Sequence, residues 1–224
     1  MELAGDASTR RFYRITAGSR RVVLMVHPEP LGPDAPLHSN QRILKKAGVP
    51  VPRILGWDCG LGAVLVEDFG DTTLQRHLSG CTPARARPGL TKRKGRGEDP
   101  GAARRLYREA CSIIIDIQKK GGPAVRPGDF AARNALDRER FLFELDHFHR
   151  HYIAGLRRMR PEGDDEGLLR AFYEDLAGRC DRLGRVYCHR DFQSRNLLVR
   201  RVGARLRLGV VDFQDARMGP YPYD

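Results

Sequence analysis

The chain has 224 residues, and 40 lysines and arginines against 28 acidic residues give it a formal charge of +12. This length suits one compact domain or two small lobes, and a hydrophobic content of 41% argues against disorder of the whole chain. No apolar stretch is long enough to cross a bilayer or to serve as a secretion signal, so we expect no membrane partner. Five cysteines without CxxC spacing favour reduced thiols in the cytoplasm.

The first 67 residues are predicted to form a small, mostly antiparallel sheet with one helix. Residues 12–16 and 22–26 are β-prone runs joined by a short turn, which is typical of a hairpin. A helical pattern at 39–47 is stopped by glycine and proline, and strands are predicted at 54–57 and 63–67.

The excess positive charge is concentrated in one segment that follows this sheet. Residues 76–108 carry ten basic and two acidic residues, a net +8 of the total +12. Within it, residues 79–101 are rich in Pro, Gly and Arg and lack apolar periodicity, so we expect a disordered basic insertion. The stretch contains no aromatic side chain that could stack on a base, which argues against nucleic-acid binding.

The rest of the chain is predicted to be helical, with one late hairpin. A short helix is predicted at 74–78, and apolar residues recur at helical spacing over 102–119, 136–156 and 165–183. Strands at 197–200 and 206–211, on either side of Val-Gly-Ala, form the hairpin.

Chemically capable residues surround this late hairpin. His189, Asp191 and Asn196 stand in the order HxDxxxxN, and Asp212 follows the second strand. If the hairpin turns near its glycine, paired positions sum to roughly 406, so Asn196 is expected opposite Val210 and close to Asp212. Two carboxylates and one amide oxygen would then converge at one end of the hairpin.

Oxygen ligands of this kind suit Mg²⁺, which takes one or two protein carboxylates together with substrate phosphates. We expect Asn196 and Asp212 to hold the ion and Asp191 to orient and deprotonate an attacking hydroxyl. His189 is expected to brace the loop by hydrogen bonding, and Arg190 to offset the nearby carboxylate charge. The alternative is a surface loop whose Asp and Asn are ordinary turn residues.

A second candidate element precedes the first predicted strand, in the sequence AGDASTRRFYRI. Its small residues Gly5, Ala7 and Ser8 would let backbone N–H groups approach phosphate oxygens, although an ordinary tight turn has the same composition. Near the other end of the chain, Asp215 and Asp224 flank the predicted metal strand. Either of these could orient a sugar or stiffen the catalytic loop.

These segments resemble the aminoglycoside phosphotransferase/choline kinase superfamily, relatives of protein kinases. The likeness is closer to bacterial kinases that phosphorylate N-acetylmuramate and N-acetylglucosamine at the anomeric hydroxyl. The strings that carry it are GDASTRRFYR, AGVPVPRILG, LVEDFGD, HRDFQSRNLLV and VVDFQDARMGPYPYD. The resemblance implies an α+β, bilobal protein-kinase-like fold, with a small antiparallel-sheet lobe that binds ATP at 1–69. A helical catalytic lobe with the late hairpin would occupy 70–224.

The same resemblance assigns the site. The residues implied to contact ATP belong to the first loop, the third strand and a hinge between the lobes: Gly5, Asp6, Ala7, Ser8, Thr9, Arg11, Met25, Glu67, Asp68 and Phe69. Asp191, His189 and Arg190 are implied to be catalytic, Asn196 and Asp212 to bind Mg²⁺, and Asp215 to contact the acceptor.

The sequence also departs from the family pattern. Met25 stands where a lysine is expected, and the following helix offers Ser39 or Gln41 but no acid to pair with one. Losing both halves of that ion pair avoids an unpaired buried charge. The phosphate-binding cation is then expected to be Arg10, Arg11 or the metal ion. Measured against the family pattern, both ends are truncated and the large lobe is incomplete.

The sequence therefore predicts a cytoplasmic phosphotransferase that uses ATP and Mg²⁺. It would move the γ-phosphate to a hydroxyl of a small polar acceptor, such as N-acetylmuramate or N-acetylglucosamine, as an anomeric kinase of cell-wall recycling. A catalytically inactive kinase-like scaffold is the main alternative, motivated by Met25 and by the chain ends. A nucleic-acid binder acting through residues 79–105 is the third hypothesis.

Overall fold

The computed structural model describes residues 1–3, 9–18, 20–32, 34–81 and 100–224. Its front part is a five-stranded antiparallel sheet with the strand order β1-β2-β3-β5-β4. The strands are β1 (Glu2–Leu3), β2 (Arg11–Ala17), β3 (Arg20–Val26), β4 (Ile54–Asp58) and β5 (Ala63–Glu67). The four predicted strands are confirmed with small extensions. The two-residue β1 was not predicted, because it is too short to show alternation.

The register of this sheet decides which side chains face the rest of the molecule. Phe12 lies opposite Met25, and Met25 lies opposite Val64 on the neighbouring strand. Directly paired residues point to the same side of a sheet, and Val64 is fully buried on that side. Met25 packs against the main apolar cluster, so an apolar side chain occupies the core-facing middle of β3.

Six α-helices are described, and most lie in the rear part of the chain. They are α1 (Pro36–Lys46), α2 (Leu74–Cys81), α3 (Pro100–Gly121), α4 (Phe130–Arg133), α5 (Arg138–Phe148) and α6 (Asp164–Arg182). The predicted helix at 136–156 was partly wrong. It divides into α5 and a π-helix over His149–Leu156, because apolar periodicity does not distinguish the wider π turn from an α turn. None of the described helices has the length and apolar character that a membrane crossing needs.

Two short strands were missed by the sequence reasoning. β6 (Arg185–Cys188) pairs antiparallel with β9 (Arg217–Pro220), and each has four residues. Strands this short show little alternation of apolar and polar residues, and these two are far apart in the sequence. The pair positions the loop after β6 beside the last residues of the chain.

The late hairpin consists of β7 (Leu197–Val202) and β8 (Arg205–Val210), and its predicted register was wrong by one residue. Val202 pairs with Arg205 and Leu197 with Val210, so the turn is centred between Gly203 and Ala204. Gly203 has a φ of +59°, which suits a tight two-residue turn. Asn196 therefore lies opposite Val211. The Val211 N–H donates to the Asn196 carbonyl at 3.0 Å.

One apolar cluster joins the front sheet to the rear part. It contains Val64 and Val66 of the sheet, three positions of α1 and the residue after it, four of α3, and residues of the late hairpin: Leu37, Ile43, Leu44, Ala47, Leu106, Ala110, Ile113, Ile117, Leu197, Leu208 and Val210. Residues 79–81 end α2 and residues 100–101 begin α3, whereas the remainder of the predicted basic insertion lies outside the described residues. The described cysteines 59, 111, 180 and 188 are free thiols.

Phe69, two residues after β5, fixes the front sheet to the late hairpin. Its ring is 7% exposed, and the guanidinium carbon of Arg200 lies 3.6 Å from the ring centroid. On the neighbouring strand, a Cβ added at Gly209 would lie 2.4 Å from Phe69 Cδ2. Only glycine leaves enough room for the ring at this position.

We predict that Gly209→Ala lowers the free energy of unfolding by about 1–3 kcal/mol, because the methyl group has no space against Phe69. Gly167→Ala on α6 is the matched control, since nothing lies within 4 Å of its added Cβ. The control is expected to gain about 0.5–1 kcal/mol from helix propensity. Chemical denaturation measures both, and a Gly209 variant as stable as the parent protein would contradict this packing.

Candidate active site

The loop after β6 holds His189, Arg190 and Asp191 in a strained backbone turn. Arg190 has a φ of +79°, in the left-handed region that non-glycine residues rarely adopt. The Asp224 carboxylate accepts the backbone N–H of His189 at 2.6 Å and that of Arg190 at 2.7 Å. Charge-assisted hydrogen bonds thus hold the strained turn in place. Of the two roles that the sequence left open for Asp224, these contacts favour stiffening the loop.

His189 connects the catalytic loop to the segment after β8. The side chain is fully buried; its Nε2 lies 3.1 Å from the Val211 carbonyl oxygen, and its Nδ1 lies 3.3 Å from the Asp191 backbone nitrogen. These partners require an Nε2–H that donates to Val211 and an Nδ1 that accepts from Asp191. Burial lowers the pKa of His189, against the opposing charge of Asp224, so the neutral ring is favoured. His189 acts as a brace for the loop.

Asn196 lies where the catalytic loop enters β7. Its Nδ2 donates to the Asp191 carbonyl at 2.9 Å, and its own carbonyl accepts the Val211 N–H. The side-chain amide nitrogen is thereby used for structure, and its amide oxygen is the atom suited to a metal ion. Asp191 itself is exposed.

Asp212 follows β8 in another strained conformation, with a φ of +64°. Its Oδ1 accepts from Arg10 Nη2 at 3.1 Å and from Gln214 Nε2 at 2.9 Å. The positive charge beside this carboxylate is therefore the guanidinium of Arg10. The observed ion pair supports the view that Asp212 is built to bind positive charge.

The donor set fits Mg²⁺ rather than a metal that needs a dense protein cage. Among the described residues, no group of three or more His, Cys, Asp or Glu side chains could hold a metal ion. Mg²⁺ needs only one or two protein oxygens, and it keeps waters and phosphate oxygens as its other ligands. Asp212 and Asn196, at the same end of the β7-β8 hairpin, would supply those protein oxygens.

Helix α1 holds the segment after Asp212 through one buried amide. Asn40 is fully buried, and its Nδ2 donates to the carbonyls of Phe213 at 3.1 Å, Gln214 at 2.9 Å and Ala216 at 3.0 Å. The helix between β3 and β4 thus positions the loop that carries Asp212. Asn40 occupies a buried stripe otherwise formed by Leu37, Ile43 and Leu44, and that polar interruption is the signal the sequence reasoning missed.

A cleft of about 590 Å³ opens at Asp212. It is bordered by the start of β2, the segment after β3 and the loop after β8, and its lining residues are Thr9, Arg10, His27, Pro28, Glu29, Pro30, Leu31, Asp212, Gln214 and Asp215. Asp215, predicted to contact the acceptor, also accepts from Arg217 through its carbonyl at 3.1 Å. Polar and charged groups dominate this lining, which suits a polar ligand.

The structure distributes the predicted ATP-binding residues over several places. Gly5, Asp6, Ala7 and Ser8 lie outside the described residues, whereas Thr9 lines the cleft. Arg11 is exposed and hydrogen-bonded to Tyr13, which raises the pKa of its guanidinium. Met25 lies on the core-facing side of β3. Of these residues, only Thr9 lines the cleft with Asp212.

At the predicted hinge, each side chain already has a partner. Glu67 pairs with Arg53 at 3.2 Å, and Phe69 packs under Arg200. Asp68 accepts from Arg14 Nε at 2.7 Å, and Asp71 accepts from Arg14 Nη1 at 2.6 Å. The sequence reasoning missed Arg14, because pairing across more than 50 positions leaves no local pattern.

Comparisons with known proteins show the family of this chain. The sequence model of the "Phosphotransferase enzyme family" matches residues 1–224. The N-acetylmuramate/N-acetylglucosamine kinase of Pseudomonas aeruginosa is 31% identical over 221 residues, which are 99% of this chain and 56% of that protein. The chain therefore spans little more than half the length of this curated relative.

Solved structures show the same fold. Aminoglycoside phosphotransferase APH(4)-Ia, in a ternary complex with ADP and hygromycin B, has a TM-score of 0.54 at 16% identity. The match covers 100% of this chain and 68% of that one. A choline/ethanolamine kinase family protein from Mesorhizobium loti has a TM-score of 0.56 at 17% identity and covers 99% and 60%. The predicted α+β, kinase-like bilobal fold is confirmed.

We predict that Asp224→Asn lowers the free energy of unfolding by about 1.5–3 kcal/mol, because the amide replaces one acceptor oxygen with a donor that faces an N–H group. Faster hydrogen exchange at the Arg190 amide should accompany the loss. Asp175→Asn is the matched control; it removes an exposed i,i+4 pair with Arg179 and should change stability by less than about 0.5 kcal/mol. Equal effects of the two substitutions would contradict the assigned role of Asp224.

We predict that His189 stays neutral, as the Nε2–H tautomer, from about pH 8 down to below about pH 6.5. Because its folded pKa is lowered, the unfolded chain takes up a proton first as the pH falls. This residue therefore contributes a loss of stability below about pH 6.5, together with His27 and His38, whose pKa values are also lowered by burial. Imidazole ¹⁵N chemical shifts measure the state, and a charged His189 at neutral pH would contradict the assigned hydrogen bonds.

Proposed function

Because the chain belongs to the phosphotransferase enzyme family, we propose that it transfers the γ-phosphate of ATP to a hydroxyl of a small polar acceptor, with Mg²⁺ as cofactor. One observation carries this proposal. At one end of the late hairpin, the Val211 carbonyl lies beside the His189 ring and the Val211 N–H donates to the Asn196 carbonyl. These bonds join the HxDxxxxN loop to the segment that leads to Asp212, which supports the proposal.

The proposed acceptor is an amino sugar, N-acetylmuramate or N-acetylglucosamine, phosphorylated at its anomeric hydroxyl during cell-wall recycling in the cytoplasm. The support is the name of the Pseudomonas relative and the polar lining of the cleft beside Asp212. Residues 1–69 would form the ATP-binding lobe and residues 70–224 the catalytic lobe. By the family resemblance, the backbone of Glu67, Asp68 and Phe69 would face the adenine, while their side chains keep the partners described above.

The chemistry follows from the placement of Asp191. The acceptor oxygen forms a bond to the γ-phosphorus, the bond from that phosphorus to the β–γ bridging oxygen breaks, and ADP leaves with the electron pair. The Asp191 carboxylate orients the acceptor hydroxyl and takes its proton. When bound by Asn196 and Asp212, Mg²⁺ neutralises charge on the phosphate oxygens.

The neighbouring residues keep this carboxylate in position. His189, neutral and fully buried, accepts the Asp191 N–H and so fixes the backbone beneath the carboxylate. The Arg190 guanidinium lies 3.3 Å from Glu144, which draws it to the side of the loop. Catalysis of this type depends mainly on positioning and charge neutralisation, which a braced loop supplies.

A second candidate function is a kinase-like scaffold without catalysis. The observation that favours it is Met25, an apolar side chain in the core-facing middle of β3, where the family carries a lysine. In that case the folded chain would release no ADP above background, with or without the Asp191 substitution. The same experiment therefore separates the two candidates.

We predict that this chain releases ADP from Mg-ATP in the presence of N-acetylglucosamine or N-acetylmuramate, and that Asp191→Asn lowers kcat by roughly 10²–10⁴-fold. The reason is that the amide cannot take the proton of the hydroxyl. Asp175→Asn serves as the control of equal charge change on an exposed helix surface. A coupled ADP assay, with and without a chelator, gives the rates. Turnover that survives both Asp191→Asn and the chelator would refute the mechanism.

A further inference from the structure

We infer that Arg10 is the phosphate-binding cation of this site, and that it exchanges partners when nucleotide binds. In the structure Arg10 pairs with Asp212, and in the presence of Mg-nucleotide it leaves this carboxylate to the metal ion and binds the polyphosphate. The inference rests on the proposed function. It adds a positioning and binding residue that takes over the charge missing at Met25.

The location of Arg10 is the first observation. It stands directly before β2, its side chain is 15% exposed, and its Nη2 lies 3.1 Å from Asp212 Oδ1. Its guanidinium carbon also lies 5.8 Å from the ring centroid of Phe12, so the side chain extends along the core-facing side of the sheet. The cation is thus already inside the cleft, beside the carboxylate expected to hold the metal ion.

The second observation is that the cleft has few other sources of positive charge. Among the described residues that line it, Arg10 is the one permanent cation. His27 also lines the cleft, but burial and the charge of Arg10 lower its pKa and favour the neutral ring. Glu29, Asp212 and Asp215 contribute three carboxylates. A polyphosphate would meet like charges here unless a guanidinium and a metal ion offset them.

The third observation concerns the positions that supply the cation and its partner in the family pattern. Met25 fills the strand position with an apolar side chain that packs on the core. On α1, Ser39 and Gln41 offer no acid, and the amide of the buried Asn40 is used on three loop carbonyls. None of these residues can bind phosphate through a positive charge, whereas Arg10 offers a planar guanidinium suited to phosphate oxygens.

The ion pair between Arg10 and Asp212 is of a kind that a ligand can rearrange. The Asp212 side chain is 39% exposed, and a partly exposed pair adds little net stability. Arg10 and a metal ion compete for the same carboxylate when nucleotide is absent. They cooperate when a polyphosphate provides Arg10 with a new partner. Removing Arg10 should therefore change the two binding reactions in opposite directions.

This reversal of sign is the test. In the full chain, Arg10→Ala is expected to bind Mn²⁺ alone about threefold more tightly, because a competing charge is gone. The same variant should bind Mg-ADP roughly tenfold to a hundredfold more weakly, because a charge-assisted phosphate contact is lost. Arg10→Lys should lie between the variant and the parent for Mg-ADP. Electron paramagnetic resonance measures Mn²⁺ binding, and titration calorimetry measures nucleotide binding.

Arg20→Ala is the matched control, since Arg20 is exposed at the far end of the same hairpin, opposite Ala17. It should leave both affinities unchanged. If Arg10→Ala does not fold, Asp212→Asn provides the second measurement: releasing Arg10 from its carboxylate should tighten the binding of metal-free ADP.

Three outcomes overturn the inference. Arg10→Ala that binds Mg-ADP as tightly as the parent would show that Arg10 does not contact phosphate, while the proposed function would stand. Parallel weakening of Mn²⁺ and Mg-ADP binding would show that Arg10 only supports the shape of the site. A folded parent chain that binds no Mg-nucleotide would instead refute the proposed function, and the inference with it.

Discussion

The backbone of Val211 is the point on which the candidate active site depends. Its N–H donates to the Asn196 carbonyl and its carbonyl accepts from the buried His189 ring. One peptide segment therefore joins the loop with Asp191 to the strand that leads to Asp212. Because both bonds lie at the buried end of a hairpin, a shift of either segment would leave polar groups without partners in the core. The relative position of the segments that carry Asp191, Asn196 and Asp212 is thus set by these backbone bonds together with the side-chain contacts of Asn196 and Asp212.

Contacts from three residues stabilise the candidate active site. Asp224 holds the catalytic loop by two N–H groups, Asn40 on α1 holds the loop after Asp212, and Phe69 fixes the front sheet to the hairpin. The strained φ values of Arg190 and Asp212 occur where these contacts meet. Strain of this kind persists only where the surrounding structure determines the conformation, and it is concentrated at functional sites. The arrangement is typical of a preorganised active site.

The charge arrangement explains how the fold accommodates Met25. Met25 packs against the apolar cluster on the core-facing side of β3, and the buried amide of Asn40 on α1 is used on loop carbonyls. The front sheet still places a guanidinium at Asp212, from a residue just before β2. The positive charge thereby comes from Arg10, directly before β2, rather than from the middle of β3. This substitution keeps a long charged side chain at the edge of the cleft, where water can share its solvation.

The sequence by itself predicted most of the helices and strands of this protein and the residues of its candidate site. The alternation of β2, β3 and β5, the apolar stripes of the long helices and the HxDxxxxN spacing are local patterns, and local patterns survive in a single sequence. Tertiary structure alone decided the pairing register of the late hairpin, which differs by one residue from the prediction. It likewise decided the pairing of β6 with β9 and the contacts of Asn40 and Asp224. It also decided that Arg10 reaches Asp212, 202 positions away. Contacts between such distant residues depend on how the elements pack, and the energy of packing leaves no periodic signal in the chain.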